Sequence, residues 1–285
     1  MKGTYIMLIA QYFVEFIFYS FLGWVWESIY CSANEKKWAD RGFLFGPICP
    51  IYGSCVVGVS ILFSLIKPLS DPSFPIWGIF IICYIGSAIA EYGTSWVLEK
   101  RFHARWWDYS RLPLNINGRI CVPVSIAFGL AGVAVVKFLI PAVEGVHAAV
   151  SPIIYEVLAI AIAMIFGADF ALTEASLNAL LKDVEKMHEE FNLKAQERYE
   201  KVTSAPKVIE LKLKEEKEQM EARYDQLARA YAEKLSLNQK RILLGIQKFM
   251  PKPGIDENSL EHVPIMRATD ALRDRVRDLR RKKNN

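Results

Sequence analysis

The chain has 285 residues, of which 52% are hydrophobic and 23% are charged, and its formal net charge is +4. Residues 1–172 are mostly apolar and carry 11 basic and 11 acidic side chains, whereas residues 173–285 carry 24 basic and 20 acidic ones. This uneven distribution excludes a single water-soluble domain and predicts a membrane part followed by a charged tail.

Five segments of residues 1–172 are apolar over about the 20 residues that a membrane-spanning helix needs. They run from Thr4 to Tyr30, Pro47 to Ile66, Phe74 to Leu98, Ile120 to Ile140 and Ala148 to Leu172. We therefore predict an all-α fold in which residues 1–172 form a polytopic bundle of five transmembrane helices.

Basic side chains are concentrated in the loops after the first and third predicted spans. They are Lys36, Lys37 and Arg41 in the first of these loops, and Lys100, Arg101, Arg105 and Arg111 in the second. Because loops rich in Lys and Arg stay in the cytoplasm, this pattern predicts a plasma-membrane protein with its amino terminus outside and its carboxyl tail in the cytoplasm.

The charged tail contains two series of apolar residues at three- and four-residue steps, from Leu177 to Ala195 and from Leu213 to Leu235. This pattern predicts an antiparallel coiled-coil hairpin over residues 173–249, through which the chain is expected to form a homo-oligomer. Residues 250–285 are predicted to form a linker and a short basic helix. Its charge suits anionic membrane lipids, and nucleic acid is less favoured because no nucleic-acid-binding motif accompanies it.

The stretch from Arg41 to Gly53 packs three glycines and two prolines into the start of the second apolar run. These residues break helices, and broken backbone at membrane depth is tolerated only where protein or a water-filled cavity covers it. We therefore interpret this stretch as the wall of a site.

An internal similarity appears when the chain is shifted by 72 residues, which aligns residues 12–51 with 84–123 without a gap. The identities cluster as Trp-Val-x-Glu near one helix end and Gly-x-Ile-Cys near the next helix start. Chance similarity of two membrane segments and a true duplication are equally weighted alternatives. A duplication predicts two helical hairpins related by an axis along the membrane normal.

Glutamates inside the predicted spans are costly to bury and are therefore functional candidates. Glu27 shares a helix face with Ser20 and Gly23. Its alternative role is a structural ion pair with Arg41 or Arg119. Glu91 lies deeper and needs a partner or a proton, because an isolated charge is unstable in an apolar environment.

The loop between the third and fourth predicted spans supplies Trp107, Asp108, Asn115, Asn117 and Arg119. Trp107 suits a membrane interface. The two amides and the guanidinium precede a predicted helix, where free N–H groups and the helix dipole favour an anion or phosphate. No metal-ligand spacing, Ser-His-Asp order or Walker-A loop is present, so we predict no metal, no cofactor and no ATP hydrolysis by a P-loop of this chain.

Several motifs together resemble one bacterial family. They are Phe-Leu-Gly-Trp-x-x-Glu at Phe21 to Glu27, the stretch Arg41 to Gly53, Glu91-Tyr92, Trp107-Asp108-Tyr109-Ser110 and Asn115-x-Asn117-Gly118-Arg119. The chain resembles the CmpB-like family of ABC-transporter type IV permeases over about residues 10–140. The resemblance implies a polytopic transport component, and a separate subunit would then supply the ATPase.

Three functions follow from these observations, and we rank the transport component first. Its polar cytoplasm-facing site is predicted to contain Glu27, Arg41, Glu91, Trp107, Asp108, Asn115, Asn117 and Arg119. The first alternative is a membrane-embedded enzyme that acts on a lipid or isoprenoid head group at the inner face, with Glu27 or Asp108 as the acid or base. The second alternative is a scaffold whose membrane part anchors the coiled coil.

Overall fold

The computed structural model describes residues 2–35, 42–71, 73–147, 150–202, 226, 228–249 and 272–279. Most of these residues are helical. The helices are α1 (Lys2–Glu35), α2 (Pro50–Leu65), α3 (Lys67–Ser70), α4 (Ile76–Phe102), α5 (Val122–Ala134), α6 (Ile140–His147), α7 (Pro152–Val202), α8 (228–234), α9 (Leu237–Gly245) and α10 (272–279). A π-helical turn, Val135–Leu139, joins α5 to α6.

Four two-residue strands complete the described structure. They are β1 (Ala104–Arg105), β2 (Asn115–Ile116), β3 (Ile120–Cys121) and β4 (Lys248–Phe249). The chain divides into two compact units. The membrane unit comprises Met1–Leu98 and Trp107–Thr173, and the tail unit comprises Glu99–Trp106 and Glu174–Asn285. The predicted domain limits of 1–172, 173–249 and 250–285 stay a prediction.

Four helical segments are long and apolar enough to cross a membrane. They are Leu8–Ala33, Ile76–Phe102, Val122–Val146 and Pro152–Lys186. The second predicted span is also helical, but α2 has only 16 residues. At 1.5 Å per residue it is about 24 Å long, which is shorter than the roughly 30 Å of hydrocarbon in a bilayer. The predicted count of five spans is therefore not confirmed, because residues 42–49 are not helical and delay the start of α2 to Pro50.

Glycines allow α2 to pack closely against α1. Gly53 is buried on α2, and a Cβ atom at this position would collide with Phe16 O and Ser20 Oγ on α1. Gly23 on α1 leaves the matching space for the ring of Tyr52 on α2. Small residues at such contacts let helix backbones approach each other, which is a common basis of helix packing in membranes.

A β-hairpin precedes α5 and is the main departure from the all-α expectation in the membrane unit. Strands β2 and β3 pair antiparallel, with Ile116 opposite Ile120. Two of the three residues between this pair, Asn117 and Gly118, have φ angles of 52° and 68°. The Arg119 N–H donates to Ile116 O at 3.0 Å. Positive φ at both central residues defines a type I′ turn, which Asn-Gly strongly favours.

The tail unit has an apolar core of its own. Its buried residues include Leu177, Leu180 and Val184 on α7, Ala232 on α8, Leu243 on α9 and Leu272 on α10. Strands β1 and β4 pair antiparallel in this unit. Ser236 and Gln239 form a reciprocal capping box at the start of α9, and Gln239 Nε2 donates to Asp183 Oδ2 at 3.0 Å.

The coiled-coil hairpin stays a prediction. Helix α7 contains its first apolar series, but Leu213 to Tyr224 of the second series lie outside the described residues. The linker from Met250 to Gly254 also lies outside them. Of the predicted basic helix, residues 272–279 are described and are helical.

The close approach of α1 and α2 can be tested by adding one methyl group. We expect Gly53→Ala to lower the thermal unfolding midpoint of the purified chain in detergent, because overpacking at such a contact costs about 1–3 kcal/mol. Gly58→Ala is the matched control on the same helix, since nothing lies within 4 Å of a Cβ there. The control should be neutral or slightly stabilising. Equal midpoints for the two variants would contradict the described packing.

Candidate functional site

The non-helical residues 42–49 are held by a carboxylate from α7. The Phe45 N–H donates to Asp169 Oδ1 at 2.9 Å, and the Gly46 N–H donates to Asp169 Oδ2 at 2.7 Å. The Thr173 hydroxyl also donates to Asp169 Oδ1, at 3.2 Å. Asp169 therefore satisfies two backbone N–H groups that a continuous helix would have satisfied itself.

Glycine is required at two positions of this loop. A Cβ on Gly46 would lie 2.8 Å from Asp169 Oδ2, so a side chain there would displace the carboxylate. Gly42 has a φ of +129°, which other residues rarely adopt. At the end of the loop, the Cys49 N–H donates to Ser20 O at 2.9 Å, which fixes the start of α2. The glycines were visible in the sequence, but sequence reasoning missed Asp169.

The Glu91 side chain on α4 is buried and receives one hydrogen bond from the loop before β2. Glu91 is only 6% exposed, and the Tyr109 hydroxyl donates to its Oε1 atom at 3.1 Å. The other oxygen, Oε2, is buried and has no hydrogen-bond partner among the residues that the structure describes. Backbone hydrogen bonds hold Tyr109 in place, because its N–H donates to Gly118 O and its carbonyl accepts from the Leu112 N–H, both at 2.8 Å.

Glu27 on α1 interacts electrostatically with the Tyr109 hydroxyl. Burial raises the pKa of the Tyr109 hydroxyl above its ordinary value, and the negative charges of Glu91 and then Glu27 raise it further. Tyr109 therefore remains a neutral hydrogen-bond donor at physiological pH. Glu27 also interacts electrostatically with Glu91. The structure thus brings together the two glutamates that the sequence singled out on α1 and α4.

Arg119 and Asn117 converge on a different residue, Tyr92. Arg119 Nη1 and Asn117 Nδ2 each donate to the Tyr92 hydroxyl oxygen at 3.1 Å. The guanidinium carbon also lies 5.1 Å from the centre of the Tyr92 ring, a cation–π distance. Tyr92 directly follows Glu91, so the hairpin attaches to α4 beside the buried carboxylate.

The other predicted site residues of this loop bind the loop itself. Asn115 donates to Leu112 O at 2.8 Å and accepts from the Gly118 N–H at 3.0 Å. The Asp108 carboxylate accepts from the Ser110 N–H at 3.1 Å. Trp107 Nε1 donates to Arg119 O at 3.0 Å. Arg41 lies outside the described residues.

The predicted anion site differs from the observed geometry in one respect. It was expected at a helix amino terminus, but α5 begins at Val122 and the two amides and Arg119 lie in and around the β2–β3 hairpin. Within the described ranges, no group of three or more His, Cys, Asp or Glu side chains could hold a metal ion.

A comparison with protein families gives a match over most of the membrane unit. The family model described as Putative ABC-transporter type IV covers residues 14–174. The chain belongs to this family. The match includes Glu27, Glu91, Tyr109, Arg119 and Asp169, and it extends the resemblance seen in the sequence to the end of the membrane unit.

Membership of the ABC-transporter type IV family and the four long apolar helices together identify a multi-pass membrane protein. Both findings are consistent with a protein that is a component of a membrane transport system. No curated protein and no solved structure matches the chain.

The contact between Asp169 and residues 42–49 makes a prediction for the reactivity of Cys49, which is only 5% exposed. We expect Asp169→Ala to speed maleimide labelling of Cys49 at least tenfold in a chain whose other cysteines are serine. Each lost hydrogen bond to a charged acceptor is worth about 1.5–3 kcal/mol, and 1.4 kcal/mol corresponds to roughly tenfold.

Glu156→Ala is the matched control for this measurement, because Glu156 is an exposed acid on the same helix. It should leave the labelling rate unchanged. If Asp169→Ala labels no faster than this control, the carboxylate does not hold the loop.

Proposed function

We propose that this chain is a permease-like integral membrane subunit of a transport system, with a polar cytoplasm-facing site that includes the buried Glu91. The observation that carries the proposal is the buried side chain of Glu91, whose Oε1 atom accepts a hydrogen bond from the Tyr109 hydroxyl. Ionisable groups at membrane depth are rare and mark substrate or ion pathways by default. The proposed orientation places the amino terminus outside and the carboxyl tail in the cytoplasm, as the charges of the loops predict.

The backbone around this site supports a transport role. Residues 42–49 are non-helical and are covered by Asp169 and Ser20, so they meet the condition under which irregular backbone is tolerated in a membrane. Transporters commonly build their sites where non-helical backbone lines a cavity. Membership of the ABC-transporter type IV family points in the same direction.

The proposal includes partners that the chain does not itself provide. Its sequence contains no Walker-A loop, so a separate ATPase subunit would supply ATP hydrolysis. Membrane lipids would surround the membrane unit, and a second copy of the chain would associate through the predicted coiled coil.

The inner-face enzyme has less support from the geometry. Asp108, one of its two acid or base candidates, accepts a backbone hydrogen bond from Ser110, and Asn115 bridges backbone groups of the same loop. Both contacts stabilise the loop and need no substrate. The enzyme and the scaffold remain the alternatives that a co-purification experiment distinguishes from the permease.

The direct test is mass spectrometry of molecules that co-purify with the full chain in native-lipid discs. We expect a bound small molecule or lipid in the wild-type sample, with at least a tenfold loss in Glu91→Gln and Arg119→Ala. The loss is expected because Glu91→Gln removes the carboxyl group of the site and Arg119→Ala removes a guanidinium, and a hydrogen bond to a charged group is worth about 1.5–3 kcal/mol. Arg111→Ala is the matched control, since Arg111 is an exposed residue of the same loop.

The three functions give different results in this experiment. A bound solute that depends on Glu91 supports the permease. A lipid that is chemically altered by the wild-type chain alone would replace the permease with the enzyme. Identical spectra from the wild type and all variants would overturn both and leave the scaffold.

A further inference from the structure

The two carboxylate oxygens of Glu91 have different surroundings. Oε2 is buried and has no hydrogen-bond partner among the described residues, whereas Oε1 accepts from the Tyr109 hydroxyl. A buried carboxylate normally uses both oxygens, because a charge without compensating partners is strongly disfavoured in an apolar environment. Glu91 therefore has one acceptor to which no donor in the described parts of the chain is assigned.

The titratable groups that face Glu91 come from three elements. They are Glu27 on α1, Tyr52 and Cys55 on α2, and Tyr109 in the loop before β2. Each of these side chains is an acid that is either neutral or negative. A negative charge on Glu27 would have the same sign as one on Glu91. None of these four side chains can carry a positive charge, so none of them can compensate a negative charge on Glu91.

The packing around Oε2 restricts what this oxygen can bind. Glu91 is 6% exposed as a residue, and Oε2 itself is sealed from solvent. A metal ion or an organic cation would need several ligand atoms and a cavity around this oxygen. A proton needs neither, because it forms a covalent O–H bond with the oxygen atom itself.

We propose that Glu91 is a proton-binding site that carries a proton on Oε2 while Oε1 accepts the hydrogen bond from Tyr109. Water supplies the proton and takes it back, so the only bond formed or broken on the protein is O–H. Binding converts a carboxylate into a neutral acid and removes its repulsion with Glu27. Tyr109 keeps its own proton throughout, because it is the donor to Oε1.

This site gives the proposed transport function a coupling ion. If Glu91 loses its proton, a second negative charge appears beside Glu27 in the interior of the membrane unit, and the structure around the carboxylate must admit water or a cation. Movement of a solute would then be linked to the uptake and release of a proton. This consequence rests on the proposed transport function, whereas the proton site itself does not.

The experiment is infrared spectroscopy of the full chain in lipid discs at neutral pH, without any added solute. A protonated carboxylic acid has a carbonyl stretch that is separate from the bands of a carboxylate. We expect such a band in the wild-type chain and its loss in Glu91→Gln. Glu15→Gln is the matched control, because Glu15 is a second buried glutamate, 5% exposed, that accepts from Gln11 on α1. The band assigned to Glu91 should persist in this variant.

A conservative variant tests the position of the proton. Tyr109→Phe removes the donor to Oε1, so the carbonyl band should persist and move to higher wavenumber if the proton is on Oε2. A merely structural role of Tyr109 would not produce this shift. A difference spectrum between wild type and Glu91→Gln that shows only carboxylate bands at neutral pH would overturn the proposal. Since the measurement needs no substrate, its failure would leave the transport function to be judged by the co-purification test.

Discussion

The carboxylate of Asp169 stabilises residues 42–49 of the membrane unit, whose backbone is not helical. Two backbone N–H groups of residues 42–49 and the Thr173 hydroxyl donate to it, and Gly46 has no side chain to interfere. In an apolar environment each of these N–H groups would otherwise remain unsatisfied, at a cost of about 1–3 kcal/mol. The position of α2 depends on this loop. The loop ends at Cys49, α2 begins at Pro50, and Gly53 then packs against α1, which places Tyr52 and Cys55 near Glu91.

The loops that end at Cys49 and Cys121 share two local features. Cys49 and Cys121 are both in extended conformation, and each is the N-cap residue of a helix. Proline is the first residue of the helix after Cys49 and the second residue of the helix after Cys121. Three residues before each cysteine, the N–H groups of Gly46 and Gly118 each donate to a side-chain oxygen, from Asp169 and Asn115 respectively. These are matching positions in the 72-residue shift of the sequence. The acceptors differ, because the first comes from a distant helix and the second from the same loop. The two segments also differ in their backbone, because Gly118 has a φ of 68° and leads into a strand, whereas Gly46 has no positive φ. The duplication stays a prediction.

The sequence predicted the helices well and their contacts poorly. Long apolar runs located both ends of α1 and α4 and the start of α7 to within about five residues, but α7 continues well beyond the predicted end at Leu172, to Val202. The glycines and prolines of Arg41–Gly53 predicted broken backbone, and the structure confirms it for residues 42–49, whereas α2 already begins at Pro50. The shortness of α2 follows from those same residues. Asp169 was missed because a single acid in an apolar run gives no indication of its partner, which lies 123 residues away. Tyr109 was missed for the same reason, since its contact with Glu91 depends on the path of the intervening loop. The Asn117-Gly118 pair is a typical signal of a type I′ turn, so the hairpin could have been predicted from the sequence.

Amide hydrogen exchange at Phe45 and Gly46 would test most directly whether this loop has a fixed structure. Exchange would be followed by mass spectrometry on the wild-type chain in lipid discs, with peptides that resolve residues 43–49. We expect both amides to exchange much more slowly than exposed backbone N–H groups, and Asp169→Ala to remove this protection while leaving α4 unaffected. Rapid exchange at both positions in the wild-type chain would show that Asp169 does not hold the loop, and the structural basis of the site would then be lost.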